Sequence, residues 1–149
     1  MEKLKRILQE GNYSCVVDNY DQLFTYTRSG ISDLYDMVKN KPCFLKGAFI
    51  ADQIVGKGAA ALMILGNVSG VYAEVISLSA LILLRENGIE TDFGRVVPYI
   101  RNHNETDWCP IERICYCQTS PKEILRLIDK WLAIADTEIV AVAHQELNS

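Results

Sequence analysis

Two glycines interrupt the most apolar helical stretch of this chain, IVGKGAAALMIL at residues 54–65. Each of Gly56 and Gly58 costs a helix about 1 kcal/mol relative to alanine, so the fold must use the space they leave. Gly56, Ala59 and Ala60 form a small face that a sheet, or less commonly a ligand, can approach closely. Asp52 is the expected N-cap of this helix and Gly66 its expected stop. Strands are expected on either side. Phe44–Ile50 reads as one, and Val71–Ile76, short, apolar and β-branched, reads as a buried one.

The rest of the chain extends this alternation. Leu4, Ile7 and Leu8 repeat at helical spacing before Gly11, where a left-handed stop is expected. Cys15–Val17 and Leu23–Thr27 flank the turn-rich Asp18, Asn19, Tyr20 and Asp21, which predicts a hairpin. Ile31, Leu34, Tyr35 and Val38 make a second amphipathic helix that ends before Pro42. Ser77 or Ser79 can cap a helix over Ala80–Asn87, ended by Gly88. Arg95–Arg101 is extended and leads into a polar loop, Asn102–Trp108. Cys109, Pro110 and Glu112 open a short helix. Ser120, Pro121 and Glu123 open a long one with Ile124, Leu127, Ile128, Trp131 and Leu132 on one face. A helix, a hairpin and then alternating strands and helices predict an α/β fold with helices on both faces of a sheet.

Composition limits what such a fold can do. With 149 residues, 49% of them apolar, the chain is expected to form one domain over 1–149, with 137–149 as a helical extension or flexible tail. Fifteen basic against 19 acidic residues, a net charge of −4, argue against nucleic acid as a partner. The longest apolar run, Ala59–Leu65, is far short of the roughly 20 residues of a membrane span. Residues 1–10 lack the apolar core of a signal peptide. Five cysteines, an odd number without paired spacing, predict reduced thiols and a cytoplasmic location.

The segment WCPIE is the most informative for mechanism. Cys109 at the N-cap, Pro110 at N1 and Glu112 at N3 would set a thiol at the positive end of a helix, where a thiolate is stabilised. Cys109 is thus a candidate nucleophile or redox thiol, against the plainer reading that it is a half-buried cap and that Glu112 merely satisfies the backbone. His103, six residues upstream, is expected to be solvated rather than catalytic. Lys57 follows Gly56, but a phosphate loop would need a glycine five residues before that pair and a Ser or Thr after it, and the chain has neither. Lys57 is therefore either a snorkelling lysine or a contact to an anion. Glu74, among apolar strand residues, either faces a cleft or turns to solvent. His103, Cys109, Cys115 and Cys117 lack the paired spacing of a zinc site, so neither metal nor cofactor is expected.

Three stretches, FLKGAFIADQIVGKGAAALMILG (Phe44–Gly66), VYAEVIS (Val71–Ser77) and WCPIE (Trp108–Glu112), together resemble a small bacterial family of unknown function with the cytidine-deaminase-like fold. The resemblance runs from about the first helix to Trp131. It implies a three-layer α/β/α sandwich around a mixed sheet, with a ligand cleft where the helices beginning near Asp52 and Ser77 point their N-termini. It does not imply deamination. Zinc deaminases carry a His or Cys followed two residues later by Glu, and a Pro-Cys-x-x-Cys pair, which this chain lacks at the matching helix starts. Those positions offer Asp52, Lys57, Glu74, Ser77 and Cys109 instead. The family pattern has alanine where this chain has Gly58, and the tail after Asp136 has no counterpart in it.

The functional expectation is a metal-free deaminase-like domain binding a small anionic or nucleotide-like ligand. Asp52, Lys57, Glu74, Ser77 and Glu112 would bind it, and Cys109 would be a reactive thiol. A non-catalytic binding or regulatory module is the alternative, and a zinc deaminase a remote one. The apolar run Ala133–Ala143 is expected to extend the last helix and to pack on another copy in a homodimer.

Overall fold

Among the described residues, six helices and five strands succeed one another as α1 (Glu2–Glu10), β1 (Cys15–Asn19), β2 (Gln22–Tyr26), α2 (Ser32–Asn40), β3 (Phe49–Val55), α3 (Lys57–Leu65), β4 (Gly70–Ser77), α4 (Leu78–Glu86), β5 (Glu90–Val97), α5 (Pro110–Cys115) and α6 (Pro121–Asn148). The structure, a computed structural model, describes all residues except Asp21, His103 and Ser149, with side chains described as far as residue 135. The expectations for His103, for Asp21 in the hairpin turn, and for side-chain packing of a homodimer beyond residue 135 lie outside the described residues.

One mixed sheet carries the strands in the order β2-β1-β3-β4-β5. β1 runs antiparallel to β2 and β3, and β3, β4 and β5 are parallel. The parallel strands are joined by α3 and α4, as crossover connections require. Strand alternation gives the sheet two apolar faces. Val16, Ala51 and Tyr72 pack with Leu4 and Leu8 of α1 on one side. Val17, Ile50, Val71 and Ala73 pack on the other with residues of the remaining helices. The fold is therefore mixed α/β, with a helix on one face of the sheet and five helices on the other.

α3 lies at the centre of the five-helix layer. Residues 57–63 are all buried, which fits a helix that is apolar on nearly every side. The neighbours at Gly58 are helices rather than the sheet that was expected. A Cβ on Gly58 would lie 2.6 Å from Ile111 Cγ2 and 3.4 Å from Ile128 Cδ1, so α5 and α6 approach α3 across a bare backbone.

Several boundaries differ from the sequence expectation. The third strand covers 49–55 rather than 44–50, and Asp52 lies inside it instead of capping α3. Gln53, Ile54 and Val55 can continue an extended strand, and Gly56 takes the N-cap in an extended conformation. β5 begins at Glu90, five residues before the expected start. Gly11 ends α1 with φ −96°, and the left-handed residue is Asn12, φ 55°. The hairpin, α2, β4 and the Ser77 cap stand where expected, with Ser77 Oγ accepting from Ala80 N–H at 3.2 Å. Cys115 is a core position and Cys117 a surface one.

Gly58→Val should destabilise the chain by roughly 1–3 kcal/mol through overpacking against Ile111. A urea midpoint equal to the parent's would show that α5 and α6 do not depend on the bare backbone.

Candidate functional site

The buried carboxylate of Glu112 joins three segments at the C-terminal end of the parallel strands. The residue is 2% exposed. Oε1 accepts from Lys57 N–H at 3.0 Å and from Ser77 Oγ at 3.3 Å, and Oε2 accepts from Ile100 N–H at 2.8 Å. Lys57 is the first residue of α3 and Ser77 the N-cap of α4. The carboxylate therefore stands at the start of both helices, where unpaired N–H groups and the peptide dipoles favour an anion. A Cβ on Gly56 would lie 3.3 Å from Oε2, so the missing side chain gives the carboxylate room. Glu112 thus caps neighbouring helices, not its own. At the two helix starts where a ligand's negative charge was expected, the chain supplies its own.

Lys57 is engaged within the protein. The residue is 6% exposed, and its Nζ donates to Tyr116 O at 2.7 Å, at the end of α5. Burial lowers the pKa of this ammonium, opposed by Cys115, Cys117 and Glu112 nearby. Glu74 lies apart as well, accepting a hydrogen bond from Gln9 Nε2 of α1.

A cleft of about 1190 Å³ opens beside this knot, lined among others by Cys15, Asp52, Arg95, Tyr99, Cys109 and Trp131. It lies at the carboxyl ends of the parallel strands, the usual place for ligands in open α/β sheets. Cys109 is the N-cap of the six-residue α5 and is half-buried, and its N–H donates to Ile100 O at 2.8 Å. Asp52 pairs across the sheet with Cys15. Its Oδ1 accepts from Ile54 N–H at 3.3 Å. Burial raises the Asp52 carboxyl from 3.8 to about 7, although the amides of Ile54 and Gln53 and the Cys15 thiol favour its ionised form. Burial first, then Asp52 and Asp33, push the Cys15 thiol well above its ordinary value.

Arginines reach the cleft from several sides. Arg28 pairs with Asp33, and Arg101 lies 5.9 Å from the Tyr99 ring centre, which stacks on Trp108 at 4.2 Å. Arg95 lines the cleft and forms no ion pair among the described residues. Of the expected site residues, Asp52, Cys109 and Glu112 line the cleft, Lys57 and Ser77 join Glu112 behind it, and Glu74 is separate. Arg95 and Cys15 escaped the sequence reading. Their places beside Val75 and Asp52 are set by strand register, which no local spacing records. Among the described residues no group of three His, Cys, Asp or Glu is placed to hold a metal, and no helix is long and apolar enough to cross a membrane.

Glu112→Ala should cost about 3–5 kcal/mol, because it orphans buried donors on three segments. A loss under about 1 kcal/mol by chemical denaturation would contradict the clamp. Asp52 gives a pH signature. Its folded carboxyl keeps the proton up to about 7, against 3.8 unperturbed, so unfolding releases protons between these values. Stability should fall as pH rises from about 4 to about 7, and Asp52→Asn should flatten that slope in urea titrations; an unchanged slope would contradict it.

No curated protein matches the chain. The crystal structure of a DUF1893 family protein, TM1506 from Thermotoga maritima, superposes with a TM-score of 0.78 at 25% identity, covering 87% of this chain and 90% of that one. The family model described as TM1506, a domain of unknown function (DUF1893), matches residues 3–132, and the chain belongs to that family.

Proposed function

We propose that this chain is a cytidine-deaminase-like α/β/α sandwich that binds a small anionic, nucleotide-like ligand without a metal, in the cleft between Asp52, Arg95 and Cys109. One observation carries this reading: an arginine without an ion pair among the described residues lines a large cleft at the carboxyl ends of parallel strands. The order of the sheet, with β1 antiparallel beside three parallel strands and helices on both faces, supports the deaminase-like comparison. Lys57, Ser77 and Glu112 leave the ligand set and become its scaffold, because their polar atoms are engaged with one another and with the backbone. Arg95 takes the place of Lys57 as the cation facing the ligand's charge.

Of the two thiols lining the cleft, Cys15 is buried and Cys109 half-buried, and Cys109, with no side-chain capping bond, is the one within reach of such a ligand. The free cysteines fit a reducing cytoplasm. A binding module without chemistry is the second reading, and retained ligand affinity in Cys109→Ala would favour it.

Adenosine monophosphate is a suitable probe. The full chain should bind it by calorimetry at low salt, with a loss of about tenfold or more in Arg95→Ala, the scale of one charge-assisted hydrogen bond. Bound probe should slow alkylation of Cys109 but not of the exposed Cys43 and Cys117. No binding, together with an unprotected Cys109, would overturn the reading.

A further inference from the structure

We propose that the ligand of this cleft carries a planar heteroaromatic ring beside its anionic group, and that this ring stacks on Tyr99 as the next member of a column begun by Trp108 and Tyr99. This rests on the anion-binding reading above and names the class of ligand, a nucleotide rather than a sugar phosphate or an inorganic anion.

The column is built by the backbone. Beyond β5 the chain turns back on itself. Arg101 bridges antiparallel to Trp108, Cys109 N–H donates to Ile100 O at 2.8 Å, and Asn102 N–H donates to Asp107 O at 2.9 Å. In that register Tyr99 and Trp108 are diagonal neighbours across the two arms, a separation that aromatic side chains span. Their rings are nearly parallel, with centres 4.2 Å apart and 10° between the planes. Tyr116 meets Trp108 edge-on at 4.8 Å, and the Arg113 guanidinium lies 5.8 Å from the Trp108 ring centre. Ile100, the residue after Tyr99, donates its N–H to Glu112 Oε2, so the buried carboxylate also fixes the place of the column.

Trp108 takes one face of Tyr99. Tyr99 lines the cleft and Trp108 does not, so the column ends at the cleft wall. Among the described residues no second ring packs on Tyr99. Arg101 lines the cleft too, with its guanidinium 5.9 Å from the Tyr99 ring centre, and forms no ion pair among the described residues. Guanidinium planes stack on bases as they do on aromatic side chains, which suits Arg101 to cover a ring laid on Tyr99. Ile100, Ile111 and Trp131 supply apolar lining of the kind that ligand rings occupy. Arg95 comes four residues before Tyr99, so chain length keeps their Cα atoms within about 14 Å of each other. With both side chains in the lining, a phosphate and a base joined through one ribose can meet both.

Ribose 5-phosphate is the probe that separates ring from anion. By calorimetry at low salt, the full chain should bind adenosine monophosphate about tenfold or more tighter than this sugar phosphate, the scale of one base stacked on an aromatic side chain. Tyr99→Leu should abolish that advantage, and Tyr99→Phe, which keeps the ring, should retain it. Equal affinities in the parent, or an advantage that survives in Tyr99→Leu, overturn the proposal while leaving the anion reading intact. No binding of either compound overturns both. Should Tyr99→Leu fail to fold, the ring protons of Tyr99 in the parent decide by NMR. An upfield shift with adenosine monophosphate that the sugar phosphate does not produce supports the proposal, and Tyr99 signals left in place by saturating adenosine monophosphate overturn it.

Discussion

The hydrogen bonds of Glu112 are the constraint on which the site depends. Taking a carboxylate out of water is costly, and the structure offsets this with two backbone N–H groups, a hydroxyl and the starts of two helices. Each donor to a charged group contributes about 1.5–3 kcal/mol, so the set has the magnitude needed to offset the desolvation. The clamp also has a direction. Because Ile100 precedes α5 and Lys57 begins α3, one side chain fixes the loop after β5 and α5 against the central helix. Cys109, three residues before Glu112, therefore sits at a set place in the cleft wall.

This arrangement changes what the helix starts can do. Two helix N-termini facing one cleft would ordinarily attract a ligand anion. Here the local demand is met from within, and Lys57 adds a second internal pairing by holding the carbonyl of Tyr116. The cleft beside these helix starts is lined by Arg28, Arg95 and Arg101. It offers carboxyl, thiol and guanidinium groups in its lining.

Periodicity and capping residues made much of the fold legible. The Ser77 cap, the helix that stops before Pro42 and the buried face of α6 all follow from local rules, and the structure keeps them. Gly58 announced close packing, which Ile111 and Ile128 provide from α5 and α6 rather than from the expected sheet. Strand edges were harder. Asp52 has the chemistry of an N-cap, but extended residues follow it and the sheet gains from pairing them, so tertiary pairing overrode the local signal. The site was legible in part. Cys109 and Asp52 reach the cleft, whereas Lys57, Ser77 and Glu112 interact with one another across long sequence separations that spacing cannot reveal.

The central claim is that Glu112 occupies the helix starts and leaves the arginine-lined cleft beside them for a ligand. A crystal structure of the full chain grown with adenosine monophosphate tests it most directly. The account predicts phosphate density beside Arg95, within reach of Cys109, and Glu112 still holding Lys57 N–H, Ser77 Oγ and Ile100 N–H. Density with the phosphate at the starts of α3 and α4 and Glu112 displaced from them would contradict it.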